Sequence, residues 1–274
     1  MNRLIRLFSR IMVVALLIGG LTNVAWGKEC TTSEHNSAKW SEYFQQADVQ
    51  GTFVLYDLKA DCYIYYDRAR ANQGFVPAST FKIMSSLIAL QTGVAKDLAH
   101  PLKWDGKLRD VQAWNADQTL ASAFKNSTVW YYEKLVSQIG AARMQTYLDK
   151  AEYGNHKLSG TQPFWLKGDL RISPKQQVEF LKRLYNNQLP FSYDNMQLVK
   201  KLMLREQSAD TIVRGKTGWS TFDNREVGWY VGYVEKGDNV YFFATNLNAA
   251  VGNTDFVSSR VSITNKILKD LNIL

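Results

Sequence analysis

Ser79 and Lys82 stand three residues apart in Ser79-Thr80-Phe81-Lys82. On a helix that spacing puts both side chains on one face, about 5–6 Å apart at Cβ. A serine hydroxyl is a weak nucleophile at neutral pH and needs an adjacent base. A lysine serves as that base only if burial, helped by the positive end of a helix, lowers its pKa. Phe81 and the apolar positions Met84, Leu87, Ile88 and Leu90 promise a dry setting for it. Two further segments follow in order. Ser127-Thr128-Val129 offers another hydroxyl just before Trp130-Tyr131-Tyr132. Lys216-Thr217-Gly218 ends a β-rich run. There a lysine and a hydroxyl can bind a carboxylate, and the glycine lets a ligand lie close to the strand. Each motif also has a plainer reading: Ser127 as a helix cap, the Lys-Thr-Gly as a turn after an exposed strand. A second Ser-x-x-Lys, Ser122–Lys125, reads as an ordinary helix or loop pair. Ser79 is preferred because Pro77-Ala78 stops the chain before it and a strongly apolar helix follows.

The elements that must position these groups follow from pattern. Gly51–Leu58 and Cys62–Tyr66 are rich in Val, Ile, Phe and Tyr and read as a hairpin after a polar leader. Helical spacing runs from Ser79 to Gln91, then over Tyr131–Ile139 and Ala141–Ala151, split at Gly140. Ser173-Pro174-Lys175-Gln176 predicts a capped helix start, with Val178, Phe180, Leu181 and Leu184 as its buried face. Met196–Met203 suggests another helix. Thr211–Thr217, Val227–Glu235 and Val240–Leu247 are β-rich, and Phe256–Leu271 is helical in period. Strands open and close the chain with helices between them. The expected fold is α/β (α+β): an antiparallel sheet built from both ends, flanked by helices, with an inserted all-helical lobe. Residues 28–274 read as one catalytic unit, 28–70 and 206–274 forming the mixed lobe and 71–205 the mainly helical one. The site is expected where the lobes meet.

Composition narrows the class of partner. Of the 274 residues, 1–27 resemble a secretory signal peptide, with Arg3, Arg6 and Arg10 before the apolar run Ile11–Leu21 and Ala25-Trp26-Gly27 before the cleavage point. That run is short for a transmembrane helix, so no stable membrane insertion is expected. The formal charge of +8 is mild and scattered, which gives nucleic-acid binding little support and suits a small anionic substrate or plain solubility. Export would permit a disulfide between Cys30 and Cys62, but their pairing stays open. Zinc-site spacings are absent, and His35, His100 and His156 form no ligand cluster, so no metal is expected.

The three motifs in this order resemble the signature of penicillin-recognising serine enzymes. With Pro77-Ala78, Lys103-Trp104-Asp105-Gly106, Tyr153-Gly154-Asn155, Phe164-Trp165-Leu166 and Gly228-Trp229-Tyr230-Val231-Gly232, the chain resembles a class D serine β-lactamase, an oxacillinase, over almost all of residues 28–274. The resemblance implies the serine β-lactamase and penicillin-binding-protein fold, an amide hydrolase of penicillins, and β-lactam resistance. It implies Ser79 as the nucleophile and Lys82 as an N-carboxylated base formed with carbon dioxide or bicarbonate, with no other cofactor. Val129, Trp165 and Leu166 would surround that lysine, the valine favouring its neutral amine and the Trp165 indole N–H holding the carbamate. Ser127 would relay a proton to the departing ring nitrogen. The backbone N–H groups of Ser79 and Trp219 would form the oxyanion hole. Lys216, Thr217, Gly218 and Arg260 would lie along the substrate and its carboxylate, and Trp114 would wall the cleft. Tyr230 and Tyr233 depart from the tryptophans common in the family. The loop Ser220–Glu226 borders the cleft. The resemblance further implies a Gram-negative periplasmic protein, monomeric or homodimeric. A D,D-peptidase usually has Asn in place of Val129. A β-lactam sensor is acylated without turnover and sits at the end of a multi-span membrane protein. A Ser-His-Asp esterase is disfavoured because no Gly-x-Ser-x-Gly occurs.

Overall fold

The computed structural model describes Lys28, Cys30 and residues 34–274. The segment read as a signal peptide, residues 1–27, lies outside them. Helix α1 (Glu34–Gln46) leads into strands β1 (Gln50–Asp57) and β2 (Cys62–Tyr66). The middle of the chain holds α2 (Arg68–Ala71), α3 (Phe81–Gln91), the short ribbon β3 (Pro101–Leu102) and β4 (Gln118–Thr119), α4 (Leu120–Lys125) and α5 (Val129–Ile139). It continues through α6 (Ala141–Lys150), α7 (Phe164–Lys167), α8 (Pro174–Tyr185) and α9 (Tyr193–Leu202). The last part is β5 (Leu204–Gln207), β6 (Thr211–Phe222), β7 (Arg225–Lys236), β8 (Asn239–Ala250) and α10 (Phe256–Asp270). Six strands form one antiparallel sheet in the order β2-β1-β8-β7-β6-β5, so both ends of the chain meet where β1 pairs with β8.

The sheet is buried on both faces, and alternate residues serve each. On β7, Trp229, Val231 and Tyr233 face a core shared with α3, α5, α6 and α8. Tyr230 and Val234 face a second core with α1 and α10. This explains the near-continuous apolar run that marked β7 in the sequence, because period-2 alternation shows only when one face is wet. The aromatic departures Tyr230 and Tyr233 fall one on each side, both buried.

Several boundaries differ from the sequence reading for local reasons. The polar leader hides helix α1, which among its described side chains buries Trp40 and Phe44, one turn apart. Asp270 of α10 ties it down, accepting from Lys39 at 2.6 Å and from the Tyr43 hydroxyl at 2.9 Å. Ser220–Glu226 is not an open loop. Strands β6 and β7 stay in register to Phe222↔Arg225. The turn is Asp223-Asn224, at φ 53° and 56°, the left-handed pair a tight hairpin needs. Helix α8 starts as expected, with Ser173 accepting from the Gln176 amide and the Gln176 side chain returning the bond. Cys30 and Cys62 are joined by a disulfide. The adjoining segment runs along the outside of β2, the Cys30 amide donating to the Tyr63 carbonyl at 2.7 Å and the Tyr63 amide to the Lys28 carbonyl at 2.8 Å. Among the described residues no helix is long and apolar enough to cross a membrane.

Candidate active site

Ser79 lies in a 3-10 turn, Ala78–Thr80, and α3 proper begins at Phe81. The expected helix from Ser79 thus starts two residues later. The turn is held hard. Ala78 sits at φ 50°, a left-handed conformation that costs a non-glycine residue about 1–2 kcal/mol. One local and two long-range contacts oppose that cost. The Thr80 hydroxyl donates to the Pro77 carbonyl at 2.6 Å, Gln177 Nε2 of α8 donates to the Thr80 hydroxyl at 2.8 Å, and Trp229 Nε1 of β7 donates to the Val76 carbonyl at 2.8 Å. From the other side β6 presses in at Gly218. A Cβ there would stand 3.2 Å from the Pro77 carbonyl oxygen and 3.3 Å from the Ala78 Cβ. A side chain at this position would prise the strand from the nucleophile's turn.

Lys82 Nζ donates to Ser79 Oγ at 2.9 Å, and the lysine is only 1 % exposed. Burial pushes its pKa down to about 7, against the opposing pull of Glu133. Its Nζ lies 5.0 Å from the centre of the Tyr132 ring. Val129 is the first residue of α5 and lies one turn before Tyr132, on the same helix face. The floor of this pocket is aromatic: Phe81 stacks on Trp165 at 5.9 Å and meets Phe164 and Tyr153 edge-on. Trp165 Nε1 is buried and has no hydrogen-bond partner among the described residues. Leu166 is half-buried, and its carbonyl accepts from Ser220 of β6 at 2.9 Å, which locks α7 to the strand.

The second serine has the same kind of partner. Lys216 Nζ donates to Ser127 Oγ at 2.5 Å and to the Thr217 carbonyl at 2.9 Å. Burial is the main reason the Lys216 pKa falls well below its ordinary value, with Lys82, Arg205 and Arg260 pushing the same way. Ser127 is itself left-handed, at φ 55°. The preceding residue is pinned by Trp114, whose Nε1 donates to the Asn126 carbonyl at 2.9 Å. Arg260 is not a solvated helix arginine. It is 8 % exposed, and its Nη1 donates to the Gly218 carbonyl at 2.6 Å. Burial lowers its pKa to about 10.

The outer edge of β6 is open along this site. Strand β5 pairs with β6 only as far as Leu204↔Arg214, and the last bond is the Gly215 amide to the Met203 carbonyl at 2.7 Å. Amides two apart on a strand point the same way. Those of Thr217 and Trp219 therefore face the free edge beside Ser79. The Trp219 side chain is 49 % exposed and donates to Glu226 at 2.6 Å. The structure thus gathers Ser79, Lys82, Ser127, Lys216, Thr217, Gly218 and Trp219 around one edge. Trp165, Leu166, Val129, Arg260 and Trp114 stand behind them. Sequence reasoning missed Tyr132, Gln177 and Ser220 as parts of the site, and gave Trp229 only as part of a family motif. Gln177 left a trace: a polar residue on the apolar stripe with Leu181 and Leu184.

Comparison with known proteins agrees with this geometry. Residues 31–269 match the family of penicillin binding protein transpeptidase domains. Over 267 residues the chain is 41 % identical to β-lactamase OXA-48 of Klebsiella pneumoniae, covering 97 % of each. A solved class D β-lactamase, YbXI from Nostoc, superposes with a TM-score of 0.81 at 42 % identity, over 86 % of this chain and 99 % of that one. The chain belongs to the class D β-lactamases. The class D likeness extends to the regulatory protein BlaR1 of Bacillus licheniformis, 38 % identical over 209 residues, or 76 % of this chain and 35 % of BlaR1.

Proposed function

We propose that the protein opens the β-lactam ring of penicillins through an acyl-enzyme on Ser79 and so confers β-lactam resistance. One observation carries this reading: a buried lysine, its pKa lowered to about 7, sits 2.9 Å from a serine hydroxyl at an open strand edge. Ser79 Oγ adds to the lactam carbonyl as its proton passes to the base at Lys82. The amides of Ser79 and Trp219 receive the oxyanion. Ser127, held by Lys216, gives a proton to the ring nitrogen as the C–N bond breaks and regains one from the base at Lys82, which took it from Ser79. Lys216 and Thr217 bind the substrate carboxylate, with Arg260 stiffening the strand at Gly218. Water then cleaves the ester and restores the Ser79 hydroxyl.

The residues around Lys82 suit an N-carboxylated form. With its pKa lowered to about 7, a substantial part of the amine is neutral at pH 7, the state that adds to carbon dioxide, and the unpartnered Trp165 Nε1 supplies a donor for the carbamate. When formed, the carbamate supplies the general base for acylation and deacylation. The test is steady-state hydrolysis of a penicillin with and without bicarbonate, between pH 5.5 and 8. Turnover is expected to fall as pH drops through about 7, where Lys82 gains its proton, and on stripping bicarbonate. Unchanged rates under both treatments would remove the carbamate. The likeness to BlaR1 favours one second reading, a sensor. A single stoichiometric burst with a lasting adduct would decide for it.

A further inference from the structure

Beyond the carboxylate end of the cleft the open edge of β6 runs into a cavity of about 560 Å³. Phe124, Lys125, Lys201, Arg205 and Lys216 line it, and Glu206 is the one carboxylate beside them. The order along the strand matters. On the proposed reading Trp219 faces the ring carbonyl and Thr217 and Lys216 the ring carboxylate; Gly215, also in the cavity wall, comes next. Lys125, Lys201 and Arg205 are exposed, and none is paired with a carboxylate among the described residues. Lys125 is the lysine of the second Ser-x-x-Lys. Its serine is spent on capping: Ser122 and Thr119 exchange bonds at the start of α4. That leaves the lysine without a catalytic partner. Arg205 is close enough for its charge to depress Lys216.

We propose that this cavity is an anion subsite for a second acidic group, carried by a β-lactam on the side of its ring carboxylate. The inference rests on the reading of the cleft as a β-lactam site. It adds a substrate class: cephem-type lactams whose ring substituent next to the carboxylate ends in another acid. Such a group would meet three cations that no carboxylate pairs and that solvent still reaches. The gain is therefore modest, seen in KM and in association more than in kcat.

Two cephems identical except for a terminal carboxylate or primary amide on that substituent test the subsite, at fixed ionic strength. The wild-type protein should favour the acid by about 3–10-fold in kcat/KM, mostly through KM. Lys201→Gln and Arg205→Gln should each reduce that ratio, and the double variant should bring it to about one; Lys201→Gln by itself should leave turnover of the amide unchanged. Lys157→Gln, at an exposed site outside the cavity lining, should leave the ratio intact. A wild-type ratio near one would overturn the subsite. So would a ratio that survives the double variant, or one that Lys157→Gln lowers equally, which would mean a general field effect. Turnover of the amide reports separately on the hydrolase reading. If neither lactam is turned over, rates of adduct formation on Ser79, followed by mass spectrometry, read the same ratio.

Discussion

The site contains two serine–lysine pairs made of the same atoms and built in opposite ways. Ser79 and Lys82 are three residues apart, and the first turn of one helix brings them together. Ser127 and Lys216 are 89 residues apart and meet only because β6 passes the turn before α5. Burial lowers the pKa of both lysines, but their neighbours differ. Lys82 has a carboxylate, Glu133, pulling against the shift. Lys216 has three cations adding to it. The local pair is therefore an insulated base, whereas the long-range pair is one charge in a cationic field suited to an anionic substrate. Similar hydrogen bonds serve different chemistry because of what stands behind them.

Removing each lysine should separate the two roles. Lys82→Ala should lower both acylation and deacylation about a thousandfold or more, the range of a lost general base. Lys216→Ala should cost about a hundredfold, with a raised KM because the carboxylate loses its partner. Pre-steady-state kinetics on one penicillin would read both, and equal losses in the same step would erase the distinction. Next comes stability. Lys82 has a folded value of about 7 against 10.5 when free, so the folded state binds fewer protons between those values. The penalty is full below pH 7 and gone above about 10.5, and stability rises with pH across that window. Lys82→Met should remove it, stabilising the fold at pH 7 by on the order of 4 kcal/mol and by much less at pH 10. Urea midpoints at the two pH values would check this, and an equal gain at both would contradict it. The smallest effect concerns the long-range pair. Trp114→Phe deletes the bond to the Asn126 carbonyl and should slow acylation about 3–10-fold, the cost of one loosened hydrogen bond. A variant whose deacylation alone suffers would show that Trp114 acts elsewhere.

How legible each part was in the sequence follows the same division. The Ser79–Lys82 pair could be read from helical spacing, and α8 from its capping box, because both are local. Strands β7 and β8 were found by composition. The pairing of β8 to β1 follows from strands that open and close the chain. Ser127 with Lys216 came only through the family pattern, since nothing local says which residues β6 will pass. Tyr132 looked like core packing until its ring was seen under Lys82 Nζ. The strain at Ala78 was unreadable because no alanine announces a left-handed turn. It is imposed from three sides, by Trp229, Gln177 and the close approach of Gly218. Helix α1 was missed because a helix held mainly by Trp40, Phe44 and Asp270 has too narrow an apolar stripe to stand out.

Lys28 and Cys30, bonded to Tyr63 and with Cys30 stapled to Cys62, give the sheet an asymmetry. An unpaired strand margin invites any extended chain to add to it. On the β2 side that invitation is already answered from within the molecule. On the β6 side it is left standing, at the one place where an extended, amide-bearing guest is wanted.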